Sequence, residues 1–273
     1  MKLPLIGCFL VILIGCVYRA SVPNVKPKWT LTWSDEFNQP DGSAPDPAKW
    51  KIEIGGNGWG NHELEYYTAR SKNVQIRNGN LVISTLKENY TGGDGVTRSY
   101  TSARLNTSGT FAQTYGRFEA RIRIPYGQGV WPAFWLLGNN IETNGWPDDG
   151  EIDIMENIGR EPGIVHGTIH GPGYSGANGI GFPLSLRVGR FADQYHVFAA
   201  EWKPSQIHLY VDDQLYATIT PANLPPKTKW VYDHPFFIIL NLAIGGDWPG
   251  SPDATTTFPQ TMLVDYVRVY RMN

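Results

Sequence analysis

The segment Gly150–Asn157 reads GEIDIMEN and sets three carboxylates, Glu151, Asp153 and Glu156, within six residues. Large apolar side chains separate them, and no Lys or Arg occurs between Gln128 and Arg160. Like charges facing one another on a strand repel, so an ordinary surface would spread the acids or interleave cations. A solvated acidic face is the bland reading of such a run. A calcium loop is a second: Gly150 and Glu156 have the Gly-x5-Glu spacing of an EF-hand loop, but Gly145 and Pro147 fall where that loop needs oxygen ligands. The third is glycoside hydrolysis. Its retaining form needs two carboxyl groups about 5–5.5 Å apart, one as nucleophile and one as acid/base.

The third reading makes a geometric demand. Asp148-Asp149-Gly150 reads as a turn and Glu151 as the start of a strand. Alternation then sends Glu151 and Asp153 to one face and Ile152 and Ile154 to the other. Strict continuation would bury Glu156, and a buried unpaired carboxylate is expensive. A β-bulge at Ile154-Met155 resolves the conflict, because one extra residue returns Glu156 to the face of Glu151. Four strand steps span about 13 Å between backbones, which inward-leaning side chains on a curved sheet would shorten. Crowded like charges raise at least one carboxyl pKa, as a general acid at neutral pH requires.

The elements that must hold such a strand are β throughout. Val74–Ile83 is two alternating runs around Asn78-Gly79, a strong hairpin signal. Tyr115–Ile124 puts Phe118, Ala120, Ile122 and Ile124 on one face and Arg117, Glu119, Arg121 and Arg123 on the other. Ile207–Val211, Asp212-Asp213 and Leu215–Ile219 form a second hairpin pattern, Phe236–Ile244 is apolar enough for burial on both faces, and Leu263–Tyr270 ends the chain as a strand. No helical pattern exceeds a few turns. The expected fold is all-β, an antiparallel β-sandwich. Thirty Gly and 20 Pro fit its many turns, and 10 Trp call for a large core, a stacking surface for a ligand, or both. A net charge of −2 gives no general reason to bind nucleic acid.

The N-terminus has its own logic. Lys2 is followed by an uncharged apolar run over Leu3–Gly15, which fits a signal h-region and is short for a spanning helix. Leu13-Ile14-Gly15-Cys16 resembles the lipobox of bacterial lipoproteins, with Cys16 as the lipidated residue; a rival cut falls after Ala20. Residues 1–20 are expected to be a signal peptide, Ser21–Pro27 a linker, and residues 28–273 one domain. Both cysteines, Cys8 and Cys16, precede that domain, so it has no disulfide and no thiolate metal site. Near the other end, Asp265 shares a strand face with Leu263, Val267 and Val269 under strict alternation. A buried Asp needs a cation or several hydrogen-bond donors.

Glu151-Ile-Asp153-Ile-Met-Glu156 resembles the active-site strand of glycoside hydrolase family 16 in its laminarinase-like form. The resemblance extends over nearly all of Lys28–Asn273 through Trp33–Phe37 (WSDEF), Gly58–Thr68 (GWGNHELEYYT), Thr101–Leu105 (TSARL), Val130–Trp135 (VWPAFW), Gly167–Gly171 (GTIHG) and Asn241–Trp248 (NLAIGGDW). It implies a jelly roll whose concave sheet forms an open cleft. It implies Glu151 as nucleophile, Asp153 as its assistant and Glu156 as acid/base, in a retaining endo-β-1,3-glucanase. No cofactor is expected for catalysis. The expected partner is a β-1,3-glucan polysaccharide, the enzyme being monomeric and exported. Trp131, Trp135 and Trp248 are the expected sugar platforms. Asn61 and Arg104 are the expected donors to sugar hydroxyls, although an Arg in TSARL would otherwise read as a structural salt bridge. His170, expected in a Gly-rich loop, is a further candidate near the acids, although a lone His is more often structural. The family also implies a structural calcium, for which Glu36, Gly79 and Asp265 are the matching residues, against a hydrogen-bonded Asp265 as the alternative. A β-1,3-1,4-glucanase, another polysaccharide hydrolase or transglycosylase of the same family, and a non-catalytic glucan-binding protein are the competing functions.

Overall fold

A computed structural model describes residues 29–273; the expected signal peptide, Cys16 and the linker lie outside them. Along the chain the strands are β1 (Trp29–Asp35), β2 (Lys51–Glu53), β3 (Glu65–Tyr67), β4 (Val74–Arg77), β5 (Asn80–Thr91), β6 (Thr97–Ser102), β7 (Arg104–Asn106), β8 (Gly116–Arg123) and β9 (Val130–Gly138). A one-turn helix α1 (Ile141–Asn144) precedes β10 (Glu151–Glu156), β11 (Ile164–His170), β12 (Ile180–Ser185), β13 (His196–Lys203), β14 (Gln206–Val211), β15 (Gln214–Ile219), β16 (Phe236–Ile244) and β17 (Gln260–Met272). Ten strands form one sheet, with the path β15-β14-β13-β8-β17-β5-β6-β3, β1 on β17 and β4 on β5. Seven form the other, in the order β12-β11-β10-β9-β16-β7-β2. Every pairing is antiparallel except β3 with β6.

Local chemistry explains the hairpins. Asn78 and Gly79 take φ of 51° and 68°, and Asp212 and Asp213 take 49° and 62°. Two consecutive left-handed residues match the right-handed twist of the flanking strands, and Asn, Asp and Gly tolerate that conformation best.

The core lies between the sheets. Phe118, Ala120 and Ile122 of β8 and Val264, Val267 and Val269 of β17 meet Phe134, Leu136, Ile152, Ile154, Leu240 and Leu242 of the opposite sheet, all without exposed surface. Strand β16 is buried along its whole length, as a run apolar except for Asn241 predicts. The second face of the seven-stranded sheet is therefore free to carry polar and aromatic side chains.

Strand β17 departs from simple alternation. On β17 the register with β8 shifts between Val264 and Tyr266, so the core face is Met262, Val264, Val267 and Val269. Asp265 is turned away from it. Strict alternation placed this residue in the core; the extra residue of the bulge moves it out.

Candidate active site

The acid strand also contains a bulge. Against β9, Asp153 pairs with Trp135 and Met155 with Phe134, leaving Ile154 without a partner of its own. Against β11, Asp153 pairs with Thr168 and Glu156 with His166, so Ile154 and Met155 together oppose Gly167. Both Ile154 and Met155 are fully buried. Two successive side chains enter the core, and Glu156 returns to the face of Glu151 and Asp153. Gly167 lets the facing strand follow: a Cβ there would lie 2.3 Å from Leu209 Cδ1 and 2.4 Å from the Tyr216 hydroxyl.

The three acids line a cleft of 1090 Å³ across one face of the seven-stranded sheet. Period-2 geometry supplies its floor: Trp131, Ala133, Trp135 and Leu137 from β9, His166, Thr168 and His170 from β11, Asn241 from β16 and Arg104 from β7. Loops add Trp59, Asn61, Glu63, Trp146 and Trp248. All six residues expected to bind substrate thus border one cleft with the acids.

Each acid has its own neighbour. Trp146 Nε1 donates to Glu151 Oε2 at 2.7 Å, and Trp131 Nε1 donates to Glu156 Oε1 at 3.1 Å. His170 Nε2 lies 3.1 Å from Asp153 Oδ2 and 3.9 Å from Glu151 Oε1. His170 ends strand β11 rather than sitting in a loop, and strand geometry delivers its ring to the acids. Burial pushes all three carboxyls up. Glu151 rises to about 8, from burial first and then the adjacent Asp153 charge, against the pull of His170 and the Trp146 hydrogen bond. Burial takes Asp153 to about 7. Glu156 rises well above the ordinary range through burial and then the Asp153 charge, opposed by His170 and Trp131. Carboxyls so buried and so close cannot all ionise at once; the cluster holds shared protons at neutral pH. That is a proton donor beside an acceptor, the requirement of acid/base chemistry.

The aromatic floor is fixed by polar contacts beneath it. Trp135 Nε1 donates to Asn241 Oδ1 at 2.8 Å, Asn241 Nδ2 to the Tyr67 hydroxyl at 3.2 Å, and Tyr67 to Glu63 Oε2 at 2.8 Å. Asn61 Nδ2 joins at Glu63 Oε1, 3.3 Å away. The Trp135 ring therefore bounds the cleft while its N–H is satisfied inside. Arg104 does two things: it pairs with Glu53, and its guanidinium lies 4.7 Å from the Trp59 ring and 4.9 Å from that of Trp135. Trp248, 36% exposed, meets Trp131 and His166 edge-on at 5.8 and 4.9 Å. Sequence reasoning assigned no role to Trp59, Glu63, Trp146, His166 or Asn241. All but His166 stand in or beside segments rich in Trp and Gly, but which side chains converge depends on loop paths that no periodicity encodes.

The expected calcium site does not fit these residues. Arg268 grips Glu36 through Nε–Oε1 and Nη2–Oε2 contacts of 2.9 and 2.8 Å. Arg121 Nη1 donates to Asp265 Oδ2 at 2.6 Å, and Asp265 is part-exposed. Gly79 sits in the β4–β5 turn. Each carboxylate already has a guanidinium partner, so neither is the buried anion that would call for a cation.

A two-sheet β-sandwich with its acids on one strand of a cleft-forming sheet is the build of a polysaccharide-cleaving glycosidase. The chain belongs to glycosyl hydrolases family 16, whose model matches residues 61–268. It is 46% identical over 273 residues to a β-glucanase of Rhodothermus marinus, covering 95% of this chain and 92% of that one. The catalytic domain of an endo-1,3-β-glucanase (laminarinase) from Thermotoga petrophila superposes with a TM-score of 0.85 at 48% identity, over 90% of this chain and 99% of that one. The endo-β-1,3-glucanase of Pyrococcus furiosus gives 0.86 at 48% identity, over 90% and 96%. The jelly-roll architecture is shared with both.

Proposed function

We propose that this protein is an endo-β-1,3-glucanase that hydrolyses laminarin-like glucans with retention of configuration. The observation that carries the reading is the bulge at Ile154-Met155, which puts Glu151 and Glu156 on one wall of the cleft. The activities named for its relatives support the substrate class.

In the first step the Glu151 carboxylate attacks the anomeric carbon. The bond to the glycosidic oxygen breaks, and Glu156 delivers its proton to that oxygen. Burial keeps Glu156 protonated until this moment. Asp153 shares a proton with Glu151; a proton on Asp153 leaves Glu151 as the anion. In the second step Glu156, now ionised, takes a proton from water as that water attacks the same carbon, and Glu151 departs as carboxylate. Trp131, Trp135 and Trp248 offer ring faces to successive sugars, and Asn61 and Arg104 offer donors to their hydroxyls.

Paired variants test the roles. Glu151→Ala abolishes turnover, and azide restores activity on an aryl β-laminaribioside with a good leaving group. Glu156→Ala loses laminarin activity far more than aryl-glycoside activity, because a good leaving group needs little protonation. Equal loss on both substrates removes Glu156 from its role. Digests of laminarin, mixed-linkage glucan and agarose, compared by product chain length, define the linkage. The apolar leader supports export, with Cys16 as the proposed lipid-bearing residue; mass analysis of the mature N-terminus beside a Cys16→Ser variant tests this.

A further inference from the structure

Trp146 has no role in the steps above. It occupies the short loop between α1 and β10, and 49% of its surface is exposed. A half-exposed indole could direct its N–H to water. Instead Nε1 donates to Oε2 of Glu151 at 2.7 Å, and the ring lies 6.2 Å from the His170 imidazole. Among the described residues Trp146 is the non-titrating side chain that donates to the Glu151 carboxyl; Asp153 reaches it only by sharing a proton, and His170 Nε2 stays 3.9 Å from the other oxygen.

We infer that Trp146 is a positioning residue for the nucleophile: its N–H fixes one oxygen of Glu151 and holds the carboxylate in the orientation from which it attacks. The inference rests on Glu151 being that nucleophile. A donor already in place costs no reorganisation when the reaction begins. A hydrogen bond to the charged form of a carboxyl favours that form, and bonds to ionised acceptors are the shorter, stronger ones. The remaining groups around Glu151 pull in both directions. Asp153, Glu156 and Asp149 repel its charge, and His170 favours it. Trp146 adds a neutral donor that does not itself titrate, and its bond favours the ionised form of Glu151.

Trp146→Phe keeps the ring and removes the N–H. The probe is a 2-deoxy-2-fluoro-β-laminaribioside with a dinitrophenyl leaving group, which stalls at the glycosyl-enzyme. Adduct formation is followed by intact mass, and the labelled peptide is mapped. The expected result is labelling of Glu151 roughly tenfold slower or more, with KM for laminarin within about twofold. The acid limb of kcat/KM moves up by about one pH unit: without the donor the carboxyl keeps its proton to higher pH, so activity is lost sooner on acidification. Trp146→His, which returns a ring N–H, recovers part of the rate. Labelling of Glu151 at the parent rate with an unmoved acid limb overturns the inference. So does a large drop in melting temperature in both variants, which would make Trp146 a structural anchor. Labelling of a residue other than Glu151 in the parent enzyme refutes the nucleophile assignment itself.

Discussion

At the residue scale, the site is a problem in proton placement. Glu151, Asp153 and Glu156 are all driven toward the neutral form by burial, and His170, Trp131 and Trp146 decide where the remaining charge settles. Among the described residues His170 is the only basic side chain within 4 Å of these three carboxyls. Its replacement by Gln keeps a donor and removes the imidazole. We expect His170→Gln to lower kcat by about 10–100-fold and to raise the pH of the acid limb, because His170 favours the anionic form of Glu151. A pH profile of kcat/KM on soluble laminarin checks this; an unmoved acid limb would show that His170 does not act on the charge of the acids. The acids themselves were legible in the sequence because alternation makes a buried Glu156 too expensive to accept. His170 was legible only as a member of a motif. Trp146 was not legible at all, since its approach to Glu151 depends on a loop that folds back over the start of the strand.

At the scale of the strand, the bulge decides which way Glu156 points. Deleting Met155 leaves Glu-Ile-Asp-Ile-Glu, in which alternation alone keeps the three acids together. Inserting Ala after Met155 adds a second extra residue, and Glu156 must either turn into the core or loop out. Met155 is fully buried, so the deletion also removes packing, at about 2–5 kcal/mol if it resembles a Met→Ala truncation. The deletion variant is therefore expected to melt lower yet retain measurable laminarin turnover, and the insertion variant to be inactive. Met155→Leu is expected to be nearly neutral, because it keeps the residue count and much of the volume. Melting curves and reducing-sugar assays on all three decide the matter: equal inactivity at equal stability for the deletion and the insertion would mean that register does not orient Glu156. The same physics explains an error. The bulge on β10 was readable because a carboxylate would otherwise be buried, an expensive conflict in plain view. The bulge on β17 solves the same conflict for Asp265, yet a cation was an equally good solution on paper. Arg121, from the neighbouring β8, is what satisfies that carboxylate instead, and a cross-strand partner is invisible until the pairing is known.

At the scale of the molecule, the carboxyls that folding perturbs fall into two groups with opposite effects on stability. Glu88, held by Lys72, Thr101 and Arg70 despite partial burial, is pulled down to about 2, and Arg268 lowers Glu36. These contribute stability above their unfolded values, and it is lost as pH falls through the folded ones. Asp149 is raised from 3.8 to about 7 by burial, with no hydrogen-bond partner for either oxygen among the described residues. Glu65, Glu151, Asp153 and Glu156 are raised in the same way. For these the unfolded chain releases protons first, so stability is greatest below the unfolded pKa and declines as pH rises toward the folded one. The melting temperature is therefore expected to peak in mildly acidic buffer and to fall between about pH 5 and pH 8. Asp149→Asn removes one titrating group outside the reacting pair and should flatten that decline. A melting temperature that climbs from pH 5 to pH 8 would contradict the assignment of neutral buried acids. The sandwich itself was legible from its alternating runs and its Asn-Gly and Asp-Asp turns. The order of strands within each sheet was not, because it is set by long-range packing.

The central claim is that Glu151 and Glu156, brought to one face by a bulge, act as nucleophile and acid/base in a double displacement. Proton NMR of laminarin hydrolysis in its first minutes, before mutarotation, tests it most directly. Two displacements at the anomeric carbon predict the β-anomer as the first product. An initial α-anomer would mean a single inverting displacement, with no covalent intermediate and no nucleophilic role for Glu151.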